Sequence, residues 1–101
     1  MSDNLTVEDT SLWRHGEDVE EIPVNGRIAL YRSDMERALI LNKTGSLLWK
    51  FLATPQSTHA LIEYLKASFP TVTHQQAAHD VTTYLSELHQ KTLINQGENH
   101  E

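Results

Sequence analysis

Six histidines are the first residues in this 101-residue sequence to test for chemistry, because imidazole is a metal ligand and titrates near neutrality. Their spacing does not converge. His74 and His79 lie in a segment with helical periodicity, about 140° apart around the axis, whereas metal-binding pairs on a helix sit one turn apart. His79 and Asp80 are adjacent and point in different directions. His15 and His100 fall in the terminal segments and His59 in the first turn of a helix, so these histidines read as solvated surface groups. No glycine-framed elbow surrounds any serine, so a Ser nucleophile lacks its base and oxyanion hole. Gly45 after Thr44 opens a helix and offers free N–H groups to an anion, but capping explains it better in a chain with no glycine-rich phosphate loop. Glu20 and Glu21 point to opposite faces of a strand and read as a charge-blunted edge. No catalytic residue, metal or cofactor is expected.

Binding remains. Arg37-Ala38-Leu39-Ile40-Leu41 is apolar on both faces, although the order of elements places it at the edge of a sheet. Either the core and a neighbouring element cover it, or it receives an extended peptide by strand addition, with main-chain bonds supplying affinity and side-chain pockets selectivity. A later helix offers a matching wall if it runs beside that edge, because Gln76 or Ala77, Asp80, Tyr84 and Glu87 fall along one stripe. Tyr84 also suits a core aromatic whose hydroxyl reaches solvent.

The elements that must position these residues follow from periodicity. Val19 to Val24, Arg27 to Arg32 and Arg37 to Leu41 are short runs rich in Val, Ile, Leu and Tyr, and read as three strands. Asn25-Gly26 is the pair best suited to a tight hairpin, and Ser33 to Glu36 has hairpin length, so the strands form an antiparallel meander with the third at an edge. Pro23 fits the other edge, where a missing donor is tolerated.

From Asn42 the period becomes helical. Leu47, Leu48, Phe51 and Leu52 mark a first helix capped by Asn42 or Thr44 and stopped by Pro55. Leu61, Ile62, Leu65 and Phe69 mark a second, capped by Ser57 or Thr58 and ended by Pro70. Thr73 to Gln76 has the capping-box pattern of a third, whose apolar positions Ala77, Val81, Tyr84, Leu85 and Leu88 continue to Lys91. Leu93 and Ile94 return to the core. The expectation is an α+β domain over 18–94, a three-stranded antiparallel sheet followed by three helices, with a flexible acidic arm over 1–17 and a disordered tail over 95–101.

Composition narrows the setting. With no cysteine, disulfides, thiolate nucleophiles and Cys-ligated metals are excluded, and the chain suits a reducing cytoplasm. No apolar run approaches membrane-spanning length and the N-terminus lacks signal-peptide character, so a cytoplasmic protein is expected. The net charge of −6 is concentrated at Asp3, Glu8, Asp9, Glu17, Asp18, Glu20 and Glu21, with only Arg14 to oppose them in the same stretch. That end repels nucleic acid.

At Leu41-Asn42-Lys43-Thr44-Gly45 the chain resembles the strand-to-helix joint Leu-Asn-x-Thr-Gly of PqqD-like (pyrroloquinoline quinone biosynthesis protein D) domains. Leu48-Trp49-Lys50-Phe51-Leu52, Leu61 to Phe69, then Asp80-Val81, Tyr84-Leu85, Leu88 and Leu93-Ile94 continue the resemblance in order, from about Val19 to Ile94. It implies a winged helix-turn-helix-like fold and a stand-alone recognition element for the precursors of ribosomally synthesised and post-translationally modified peptides (RiPPs). Such an element is a peptide chaperone without catalysis, adding the precursor's leader as a strand beside the third strand and clamping it with the third helix.

Carried over by position, the binding residues are Arg37, Ala38, Leu39, Ile40, Leu41, Gln76, Asp80, Tyr84 and Glu87. The implied partners are the precursor leader peptide and a separate maturase, whether a radical S-adenosylmethionine enzyme, a leader peptidase or a cyclodehydratase. Two departures concern helix exits: Thr54-Pro55 stands for the family's usual Asp-Gly, and Thr92 for its usual glycine.

The same outline allows a winged-helix nucleic-acid binder, but the third helix holds Asp80 and Glu87 and no Lys or Arg before Lys91. A dimerisation module using the same apolar edge is the other alternative, and both monomer and homodimer are compatible with the sequence.

Overall fold

A computed structural model describes residues 11–98. The elements are β1 (Ser11–His15), β2 (Glu20–Val24), β3 (Arg27–Tyr31), β4 (Leu39–Ile40), α1 (Lys43–Phe51), α2 (Thr58–Ser68), α3 (His74–Gln90) and β5 (Ile94–Glu98). Strands β2, β3 and β4 form an antiparallel sheet in that order, which makes the fold α+β with β4 at an edge, as the meander requires. The hairpin between β2 and β3 turns at Asn25 (φ 50°) and Gly26 (φ 81°), two consecutive left-handed residues whose twist matches the flanking strands.

Each helix starts at a side chain that accepts an otherwise orphaned backbone N–H. Asn42 Oδ1 accepts from Gly45 at 2.7 Å, Ser57 Oγ from Ala60 at 3.0 Å and Thr73 Oγ1 from Gln76 at 3.1 Å. The helices share one core with the inner face of the sheet. Leu30 and Leu41 meet Leu48, Trp49 and Leu52 of the first helical segment, Leu61 and Leu65 of the second, and Val81, Leu85 and Leu88 of the third, closed by Leu93 and Ile94. Phe69 departs from the sequence reading. It caps α2 and is 36% exposed, because the helix ends one residue earlier and turns the ring out of the apolar face.

The segments expected to be an arm over 1–17 and a tail over 95–101 contain a second sheet. β1 pairs antiparallel with β5, from Ser11 opposite Glu98 to His15 opposite Ile94. Trp13 exchanges backbone bonds with Gln56 (2.7 and 3.0 Å) and its indole N–H donates to Thr58 Oγ1 at 3.0 Å. His15 stacks on the buried Trp49 ring at 3.6 Å and lies 2.9 Å from the Trp49 carbonyl, so its Nε2 carries the proton. The ordered unit therefore reaches beyond 18–94 at both ends. The rest of the expected arm (1–10) and tail (99–101) lies outside the described residues.

Among the described residues, no helix is long and apolar enough to cross a membrane.

Candidate functional site

The third strand is shorter than its composition implies. Only Leu39 and Ile40 pair in the sheet, opposite Leu30 and Ala29, with Glu36 and Arg37 in a bend before them. Its other end stops at a competing hydrogen bond. Leu41 donates to the Ile28 carbonyl at 2.8 Å, but the return donor, Ile28 N–H, goes instead to the buried Ser46 Oγ at 3.0 Å. Ser46 Oγ lies 3.4 Å from the Leu41 carbonyl, which also accepts from Arg27 Nε at 3.0 Å. Ser46 thus stitches α1 onto the sheet where the ladder would otherwise continue.

That bond fixes the phase of β4. In an antiparallel pair, peptide groups alternate toward and away from the neighbour, so Leu39 and Leu41 address β3 while the N–H and C=O of Ile40 point to the open side. None of the turn, loop and cap backbone bonds among the described residues engages the Ile40 peptide groups. The side chains alternate likewise. Leu41 is buried and Leu39 packs partly against the core, whereas Ile40 is 52% exposed on the outer face.

The strand leads directly into a cleft of about 340 Å³. One wall is the start of α1, with Asn42, Thr44, Gly45 and Leu48, and the other is α3, with His79, Asp80, Thr83, Tyr84 and Glu87. Tyr84 forms the join. Its hydroxyl donates to the Gly45 carbonyl at 2.9 Å, and burial holds the phenol well above its ordinary pKa, so it is neutral and acts as a donor. A Cβ on Gly45 would lie 3.3 Å from the Tyr84 ring, 3.2 Å from Asn42 Oδ1 and 3.4 Å from Leu41 Cβ, so a side chain there would crowd this contact between strand end and helix. Asn42 caps α1 through the Gly45 N–H, and that donor is therefore satisfied within the protein.

The structure brings together three of the expected residues, Asp80, Tyr84 and Glu87, in this cleft. Gln76 is exposed one turn before it. Arg37 is exposed and Ala38 half-buried ahead of β4, and Leu39, Ile40 and Leu41 flank the cleft without lining it. The Tyr84 hydroxyl points inward to Gly45, not to solvent. Asn42, Thr44, Gly45 and Leu48 are additions that sequence reasoning missed, because Gly45 meets Tyr84 only across a long chain separation. His79 and Thr83 lie one position before Asp80 and Tyr84, and widening the helical stripe would have found them. Glu20 and Glu21 do face opposite ways, and Glu21 accepts from the Trp49 indole N–H at 2.9 Å. Among the described residues, no group of three His, Cys, Asp or Glu is placed to hold a metal.

An antiparallel sheet of three strands with the third at its edge, followed by three helices in this order, defines the class of fold. The family model for coenzyme PQQ synthesis protein D (PqqD) matches residues 27–94, more than half of the chain, and the protein belongs to that family. Its fold is similar to the solved structure of TbiB1 in complex with the TbiA(beta) leader peptide, with a TM-score of 0.72 at 17% sequence identity over 81% of this chain and 94% of that one. No curated protein matches the chain.

Proposed function

We propose that this protein is a non-catalytic adaptor that binds the leader of a ribosomally made precursor peptide and presents the attached core to a separate modifying enzyme. The observation that carries this reading is the edge at Ile40, whose peptide groups have no partner among the described residues and which runs into the cleft between α1 and α3. An extended peptide laid along that edge gains main-chain bonds from Ile40 and reaches the side chains of α3. Membership of the PqqD family and the likeness to a leader-binding fold support it. Tethering the leader raises the local concentration of the core at the enzyme without any chemistry by the adaptor. The exposed face of α3 carries Asp80 and Glu87 and no Lys or Arg, which weighs against insertion into a DNA groove.

The test is fluorescence anisotropy of a labelled leader from any short precursor reading frame found beside this gene, with unlabelled duplex DNA as competitor. Saturable binding near or below micromolar that DNA does not displace is expected. Ile40→Pro removes the outward N–H while leaving the bonds of Leu39 and Leu41 to β3, and should weaken binding at least tenfold with an unchanged melting temperature. Equal affinity in that folded variant would refute strand addition. Displacement by DNA would move the assignment to nucleic acid, and concentration-dependent dimerisation lost in the same variant would give the edge to a second copy.

A further inference from the structure

The outer face of the sheet, away from the helices, carries a row of apolar side chains that ends at the open edge. Register places Ile22 opposite Ala29 and Ala29 opposite Ile40, three neighbours in line across β2, β3 and β4. Ala29 is 3% exposed between the two isoleucines, which are themselves 40% and 52% exposed. Ile22 and Ile40 are two of the three large exposed apolar residues among those described. The row stops only because β4 is the last strand.

The inner side of the same edge has a different character. The cleft beyond Leu41 is lined by Asp80 and Glu87 with no Lys or Arg. Neither carboxylate takes part in an ion pair among the described residues. Arg37 precedes the strand, so the negative charge belongs to its Leu41 end.

An added strand inherits both environments by alternation, since consecutive side chains point to opposite faces. Resting on the peptide-binding reading above, we propose that the bound segment is recognised by a two-sided pattern. The residue opposite Ile40 is apolar and extends the Ile22–Ala29–Ile40 row, and its neighbour opposite Leu41 is lysine or arginine, directed at Asp80 and Glu87. The edge and the apolar row locate the site, and the two carboxylates set the charge preferred on one side. The order reports strand direction: a basic residue before the apolar one means antiparallel addition, and after it means parallel addition.

The experiment is selection from a displayed library of random peptides on the full chain, on Ile40→Pro and on the double variant Asp80→Lys, Glu87→Lys, whose substitutions sit on exposed helical positions that tolerate lysine. The expected result is an enriched pattern of an apolar residue beside a basic one, lost on Ile40→Pro. On the double variant the basic position should become acidic, and a Lys-to-Glu exchange in a selected peptide should weaken binding to the native chain roughly tenfold while strengthening binding to the variant. Enrichment that needs Ile40 but shows no basic neighbour, or does not change with the helix charges, would overturn this inference and leave peptide addition standing. No enrichment, or enrichment indifferent to Ile40→Pro, would remove peptide addition and the inference together.

Discussion

Thr92 is the residue at which sequence and backbone disagree. It occupies the position where related domains are expected to have glycine, and it holds φ at 59°, a left-handed conformation that a β-branched side chain adopts at a cost of about 1–2 kcal/mol. The turn survives because its neighbours hold it: Arg32 donates to the Thr92 carbonyl at 3.2 Å and Leu93 N–H donates to Leu88 at 2.9 Å. Thr92→Gly should therefore raise stability by about 0.5–1 kcal/mol, net of the extra freedom glycine gives the unfolded chain, read as a higher urea midpoint at unchanged slope. Tyr84 gives a second residue-level expectation. Its pKa is raised in the folded state, so the folded chain keeps its proton where the unfolded chain loses it; the stability it contributes is complete below about pH 10 and is lost as pH rises beyond. Tyr84→Phe should flatten that alkaline decline, each bound proton accounting for at most about 1.4 kcal/mol per pH unit, as urea titrations across pH 9–11 would register. The other departure, Thr54-Pro55, costs nothing of this kind, since neither residue has positive φ.

At the scale of elements, Ser46 decides where the sheet ends and α1 begins. Its hydroxyl serves Ile28 N–H and the Leu41 carbonyl from a site only 4% exposed. Ser46→Ala should cost about 1–3 kcal/mol, because it leaves a buried donor unpaired. Amide exchange should reveal the mechanism: protection is lost first at Ile28 and Leu41, with α2 keeping its own. A general loss of protection across all helices would instead make Ser46 a core-packing residue.

For the whole molecule, the β1–β5 pair matters most. It joins the two ends of the described chain and covers Trp49 through the His15 stack. A chain cut to 18–94, the boundaries suggested by texture alone, loses β1 with Trp13 and His15, and most of β5, and uncovers part of the Trp49 and Ile94 surface. It should be less stable by at least about 2 kcal/mol, the scale of exposing one large apolar side chain, and should melt roughly 8–16 °C lower. A truncated chain melting with the full one would show that the second sheet adds nothing to the core.

The sequence by itself determined the meander, the three helix starts and nearly all of the core, because those depend on local rules: Asn25-Gly26 suits the turn, Asn42, Ser57 and Thr73 satisfy the orphan donors behind them, and Leu48, Leu61, Val81 and Leu88 recur at helical period. It also made the edge at Ile40 and the stripe of Asp80, Tyr84 and Glu87 legible as candidates. Tertiary structure alone decided the rest. Leu12 and Trp13 become a strand only when β5 supplies the opposite half of the ladder, and Gly45 becomes part of the cleft only when Tyr84 reaches it from α3. Ser46 shortens β4 by taking a hydrogen bond that the strand's own composition would have kept. Each of these is a pairing between residues distant in the chain, and neither periodicity nor propensity carries the identity of a distant partner.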